Sequence, residues 1–257
     1  MLFYDSPNPA PNPRRVRIFA AEKGIELPSK EVSIPKREQK AEDFVAKNPR
    51  GQTPILELDD GTVIAESVAI MRYLEAEHPE PPLFGTTARE IAEIEMWCRR
   101  VEMILMPPVG AVWVHTHPFT AALPGRNAEW GEANRPRVAE AMRFFDESLK
   151  ARDYLAGDAF SAADILLLTT LDFAKFVGLE MPGECAALAA WRQAAARRRR
   201  VRPALRLRPL RPRPRLEPGC HCRTSPPPAA RAPPNPRPRW CVRQGATGRA
   251  GRHWGRK

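Results

Sequence analysis

The chain of 257 residues carries 41 Lys and Arg against 30 Asp and Glu, with 29 prolines and 5 cysteines. Its formal charge of +11 is unevenly held: residues 197–257 contain 18 Arg, one Lys and the single acid Glu217, a net of +18, which leaves −7 on residues 1–196. A basic, nucleic-acid-binding character for the whole protein is therefore excluded, and no apolar run approaches the roughly 18 residues that span a bilayer.

Only Cys98 and Cys185 lie in the acidic body, too few for a disulfide framework, and the N-terminus lacks the basic and apolar stretches of a signal peptide. The body reads as cytosolic. Leu2-Phe-Tyr4 is a short apolar strand, and Pro13 opens a helix that carries Val16, Phe19 and Ala20 inward and stops at Gly24. Glu31-Val-Ser-Ile34 alternates as a second strand, and Ala41–Ala46 is a short amphipathic helix. Pro54–Leu58 and Thr62–Ile64, joined by Asp59-Asp60-Gly61, form a hairpin, because Asp-Gly supplies the positive φ angles of a tight turn. Ser67–His78 is the next helix, so the order is βαβαββα.

Pro79-Glu-Pro-Pro82 cannot continue a helix and marks a boundary between residues 1–84 and an all-helical part, residues 85–198. There Ala88–Met106 reads as one helix broken at Pro107-Pro108, Val109–His117 as its resumption, and Glu132–Leu149 as another with Pro136 in its first turn. Ser161-Ala-Ala-Asp164 opens, in capping-box fashion, a helix to Val177 that is apolar nearly all round and belongs at the centre of a bundle. Gly183–Arg197 is the last helix. Residues 199–257 form an Arg/Pro-rich tail expected to be disordered; the 12 prolines from residue 197 onward preclude regular helices.

No Walker loop, G-x-G-x-x-G, H-E-x-x-H or Cys-x-x-Cys is present. Three features carry chemistry instead. The first βα loop, Ser6–Pro13, leads to a helix N-terminus that stabilises an anion. In Gln52-Thr53-Pro54 a proline opens a strand; its peptide is ordinarily trans, but a cis peptide would offer the Thr53 backbone to an extended ligand. Glu66-Ser67 starts the helix after the hairpin. Ser67 either caps that helix or, with the neighbouring N–H, holds a substrate carboxylate while Glu66 takes an ammonium group.

These features in this order resemble the cytosolic glutathione transferases over residues 1–198. The segments that carry the likeness are Pro13-Arg-Arg-Val-Arg-Ile18 with Ala21-Glu-Lys-Gly24, Asn48-Pro-Arg-Gly-Gln-Thr-Pro-Ile-Leu56, Glu66-Ser-Val-Ala-Ile70 and Tyr154–Ile165. The resemblance implies a thioredoxin-like N-terminal domain (1–84), a helical-bundle C-terminal domain (85–198) and a homodimer. It implies glutathione as co-substrate, no tightly bound cofactor and no metal. Thr53 and Pro54 would meet the cysteinyl part, Glu66 and Ser67 the γ-glutamyl end, and Lys40 or Gln52 the glycine carboxylate. The reaction would be attack of the glutathione thiolate on a small hydrophobic electrophile, in detoxification, or thiol-dependent reduction of a peroxide.

Counting back from Arg15, the position that holds Ser or Cys in many classes is Ala10. The chain is thus similar to an atypical fungal and bacterial group that lacks the usual Ser, Tyr or Cys, in which a Ser and a His of the helical domain hold a water beside the thiolate. His115 matches that histidine as the catalytic residue; the serine position is Gly110. His115 and His117, two residues apart on a helix, do not face each other, and zinc is rejected. A non-enzymatic glutathione-fold binding protein is the rival reading. Nucleic acid enters only through the tail, where Trp240 and Trp254 could stack on bases and Cys220-His-Cys222 lacks a second ligand pair; translation in a shifted frame is the preferred origin of that tail.

Overall fold

The computed structural model describes residues 1–201, with side chains as far as Arg197; the remainder of the tail, with Cys220-His-Cys222, Trp240 and Trp254, lies outside the described residues. Four short strands, β1 (Leu2–Asp5), β2 (Ser29–Glu31), β3 (Ile55–Glu57) and β4 (Val63–Ala65), form one sheet in the order β2-β1-β3-β4. β1 runs parallel to β2 and antiparallel to β3, and β3–β4 is the expected hairpin. The period of two in a strand sorts its side chains between two layers. Phe3 and Leu56 enter a core with Val16 and Phe19 of α1 (Pro11–Lys23) and Ile70, Met71 and Leu74 of α3 (Ser67–Glu77). Tyr4 and Ile55 point the other way, onto Phe44 of α2 (Glu42–Lys47), whose ring meets Tyr4 edge-on at 5.9 Å. Each fully buried aromatic or aliphatic side chain contributes about 1.5–3 kcal/mol. The arrangement is thioredoxin-like.

The second strand begins earlier than its apolar alternation suggests. Pairing starts where Phe3 N–H reaches Pro28 O at 2.8 Å and ends at Glu31; Val32 still donates to Asp5 O at 2.7 Å, and Ser33-Ile34 then turn away from the sheet.

The helical part comprises α4 (Ala88–Arg100), α5 (Met106–Thr116), α6 (Ala128–Ala133), α7 (Arg135–Leu149), α8 (Ala162–Phe176) and α9 (Ala186–Val201). Three expectations need correction. Pro107-Pro108 do not break the chain's helical path: a π turn over Val101–Leu105 precedes them, and the prolines fall in the first turn of α5, where missing N–H groups cost least. The helix expected from Glu132 is two helices, split at Asn134, which is 2% exposed and donates from its side-chain amide to Trp130 O at 2.8 Å; Pro136 does sit in the first turn of α7. Finally, α9 continues to Val201, past Arg197.

Helix α8 is buried continuously from Ala162 to Leu171. Its capping carboxylate, Asp164, accepts from Leu155 N–H, Ser161 N–H and Ser161 Oγ–H at 3.0, 3.0 and 2.8 Å, while burial pushes that carboxyl up to about 6. Helix α1 lies against α8, and Asp172 of α8 receives both Arg14 of α1 and Arg192 of α9. The start of α1 is thereby held between the sheet and the bundle.

Candidate active site

A cavity of about 630 Å³ opens where the sheet's loops meet α5. Its polar wall comes from the α/β part and includes Asn12, Lys40, Gln52, Thr53, Glu66 and Ser67; its apolar wall is Trp113, Phe119, Ala122 and Leu123. Lys40, Gln52, Thr53, Pro54, Glu66 and Ser67, the six residues expected to bind one ligand, therefore line one space. Among the described residues no group of three or more His, Cys, Asp or Glu is placed to hold a metal ion.

The Thr53–Pro54 peptide is cis. Thr53 Oγ1 lies 2.8 Å from Oγ of Ser6, which is fully buried. Lys40 Nζ donates to Arg50 O at 3.0 Å, and Gln52 Oε1 accepts from Arg50 Nε at 3.1 Å. Gly51 holds this corner close: its φ is +54, and a Cβ there would stand 2.7 Å from Gln39 O.

Glu66 is the N-cap of α3, with φ 69 and ψ 123, a left-handed backbone that costs a non-glycine residue of order 1–3 kcal/mol. Ser67 follows as the first helical residue. Its hydroxyl does not cap the helix, since α3 has no side-chain cap hydrogen bond. Instead Ser67 Oγ accepts from Arg15 Nη1 at 3.4 Å, which leaves its own proton free for the cavity. Arg15 is itself 2% exposed; burial pushes its guanidinium down from the ordinary arginine value, and Glu102 at 3.1 Å pulls it back. The guanidinium stays charged. A positive charge, a hydroxyl donor and the free N–H groups of a helix N-terminus thus converge on one point, which suits a carboxylate.

The start of α1 is poorer in donors than expected. The helix begins at Pro11, two residues before Pro13, and neither proline has an N–H, so Asn12 supplies the one backbone donor of its first three residues. Asn12 lines the cavity, and its Oδ1 is buried without a hydrogen-bond partner among the described residues. Ala10 is the N-cap and makes no side-chain contact of that kind.

His115 is not brought into this space. Its Nδ1 accepts from Asn127 N–H at 3.0 Å, at the start of α6, and its Cβ faces Gly131. The physical reason is the close approach of α6 to α5, which commits the His115 ring to Asn127 at the start of α6; Gly110 is likewise absent from the cavity lining. His117 Nδ1 accepts from Phe119 N–H at 3.2 Å, and its ring lies 4.5 Å from that of Trp113. Trp113 also stacks on Phe119 at 5.6 Å and 26°. Sequence reasoning missed Asn12, Arg15 and Phe119; an asparagine between two prolines at a helix start was the one local signal available.

Fold and sequence are both similar to those of known proteins. The family model "Glutathione S-transferase, N-terminal domain" matches residues 10–77, and "Glutathione S-transferase, C-terminal domain" matches residues 106–199. Glutathione S-transferase 2 of Saccharomyces cerevisiae is 40% identical over 212 residues, 81% of this chain and 91% of the relative. Glutathione S-transferase GstA of Escherichia coli O157:H7 is 31% identical over 172 residues, 66% of this chain and 80% of the relative. Among solved structures, Gtt2 of Saccharomyces cerevisiae superposes with a TM-score of 0.71 at 41% identity, over 76% of this chain and 95% of that one. A glutathione S-transferase domain-containing protein of Marinobacter aquaeolei gives 0.72 at 39%, over 77% and 98%. With both family halves matched in order on a thioredoxin-like domain and a helical bundle, the chain belongs to the glutathione S-transferase family and is a transferase of that kind.

Proposed function

We propose that the cavity binds glutathione and presents its thiolate to small hydrophobic electrophiles. The observation that carries this reading is the pairing of Glu66 and Ser67 at the uncapped N-terminus of α3, in one cavity with Thr53 and Pro54. The γ-glutamyl carboxylate takes the Ser67 hydroxyl and the α3 N–H groups, with Arg15 behind them; its ammonium takes Glu66. The cysteinyl backbone lies along Thr53 and Pro54, and the glycine carboxylate reaches Lys40 or Gln52. In this reading residues 1–84 are the glutathione-binding domain and residues 85–198 supply the opposing wall.

That wall, with Trp113, Phe119 and Leu123, suits an apolar co-substrate. The thiol has to lose a proton, from a free value near 8.5, because the thiolate is the nucleophile. With Ala10 offering no donor, the α1 dipole and Asn12 are the groups left to favour the anion. The thiolate attacks the electrophilic carbon, a C–S bond forms, and the leaving group departs with its electron pair. Reduction of a hydroperoxide would use the same thiolate. His115 acts here as a brace for the apolar wall, through Asn127. We further read the protein as cytoplasmic and homodimeric, as the likeness to its relatives suggests; among the described residues no helix is long and apolar enough to cross a membrane.

The reading is tested by mixing the purified chain with glutathione and chlorodinitrobenzene and identifying the thioether by mass spectrometry. Product above the uncatalysed rate supports it. Retention on immobilised glutathione with no turnover of aryl halides, epoxides or hydroperoxides would overturn the electrophile reading.

A further inference from the structure

Several side chains around the cavity already donate to backbone carbonyls. Lys40 donates to Arg50 O, the Asn48 amide to Gln52 O, and the Thr120 hydroxyl lies 2.7 Å from His117 O and 2.9 Å from Trp113 O. Thr53 is the informative case. Ser6 Oγ stands 2.9 Å from Val32 O and 2.8 Å from Thr53 Oγ1. A hydroxyl carries one proton, and a carbonyl oxygen can only accept. If the Ser6 proton pointed to Thr53, two oxygen lone pairs would face each other 2.9 Å apart at Val32, inside a site with no water access to Ser6, which is 0% exposed. The Ser6 proton therefore goes to Val32 O, and the Thr53 proton goes to Ser6.

We propose that Ser6 is a positioning residue for substrate binding: by taking the Thr53 proton it leaves Thr53 Oγ1 with only lone pairs toward the cavity, so that Thr53 selects an N–H of the bound peptide and repels a carbonyl. The proposal rests on the reading of the cavity as a glutathione site. It explains why a serine lies buried directly after β1. It also defines polarity at the centre of the cavity: an acceptor at Thr53, with a donor and a positive charge at Ser67. A ligand that fits both presents N–H and carboxylate in that order, as a γ-glutamyl peptide does.

Two measurements on the full chain test it. Proton NMR of the ligand-free protein should show a slowly exchanging Thr53 hydroxyl resonance that disappears in Ser6→Ala. Its absence from the wild type would overturn the assignment of the proton, whatever the protein binds. Glutathione titration of the wild type, Ser6→Ala, Thr53→Val, Thr53→Ser and the Ser6→Ala/Thr53→Val double variant should give about 3- to 10-fold weaker binding for each of Ser6→Ala and Thr53→Val. The double variant should be no weaker than Thr53→Val alone, Thr53→Ser should rescue binding, and the loss in Ser6→Ala should appear in the KM for glutathione and not in kcat at saturation. Additive losses, or equal losses in kcat, indicate a merely structural serine and overturn the proposal; Thr53→Val decides it even where Ser6→Ala fails to fold. Wild-type protein that binds glutathione while Ser6→Ala binds it equally well defeats this proposal alone. Wild-type protein that does not bind glutathione defeats the reading of the site and the ligand half of the proposal with it.

Discussion

The Arg15 guanidinium reaches the Ser67 hydroxyl from behind, Nη1 to Oγ at 3.4 Å, while the same Nη1 lies 3.1 Å from Glu102 and Nη2 lies 3.3 Å from the Thr170 hydroxyl. One buried side chain of α1 thus joins the start of α3, the π turn and α8. Replacing it with methionine strands Glu102 beside Arg99 alone and removes the charge behind Ser67. Arg15→Met should lower unfolding free energy by about 1–3 kcal/mol, through the lost bonds to Ser67, Glu102 and Thr170, and raise the KM for glutathione. Arg15→Lys should recover only part of either, since one ammonium cannot span three partners in a fork. Urea unfolding and steady-state kinetics on the three proteins check this.

His115 accepts a backbone N–H from Asn127 and does not line the cavity. Removing it should loosen the loop that carries Phe119, Thr120 and Leu123. His115→Ala is expected to raise the KM for an aryl electrophile about two- to five-fold, while glutathione affinity and the shape of the pH–rate profile stay as in wild type. Loss of a limb of that profile would instead mark His115 as an acid or base in the reaction.

Gly131 on α6 is where the two helices of this wall touch. A Cβ there would stand 2.5 Å from Thr116 Cγ2 and 3.0 Å from His115 Cβ. Gly131→Ala should cost about 1–3 kcal/mol by overpacking and shift the His115–Asn127 contact. Thermal unfolding should report the loss, and the electrophile KM should rise with glutathione binding unchanged.

Cys98 is 0% exposed, and burial pushes its thiol up to about 12, with Glu95 and Glu102 adding to the shift. A raised thiol value means less thiolate: at pH 8 about one part in ten thousand. Folded protein treated with iodoacetamide at pH 8 should remain unmodified at Cys98 and become modified in denaturant, read by peptide mass spectrometry. Rapid labelling of the folded chain would show that α4 opens.

Local signals were enough for much of this structure. Gly24 ending α1, Asp60-Gly61 turning the hairpin, Ser161 with Asp164 opening α8, and Glu66-Ser67 leading α3 each act over a few residues, and each is where the sequence put it. Arg15 was not legible as the most deeply buried charge, because nothing in Pro13-Arg-Arg-Val-Arg distinguishes it from Arg14 and Arg17; its burial comes from α3, the π turn and α8, far away in sequence. Pro107-Pro108 read as a break because the compensating π turn depends on packing upstream. The direction of His115 was equally hidden, since Gly131, 16 positions later, decides how close α6 comes.

A glutathione whose γ-glutamyl end sits at Glu66 and Ser67 should lose affinity when either side chain is cut back. Calorimetric titration of glutathione into wild type, Glu66→Ala and Ser67→Ala measures this. Wild type should bind, and each variant should bind at least about ten-fold more weakly, in keeping with lost charge-assisted hydrogen bonds of about 1.5–3 kcal/mol, with folding intact by circular dichroism. Equal affinity in all three proteins would place the γ-glutamyl end elsewhere.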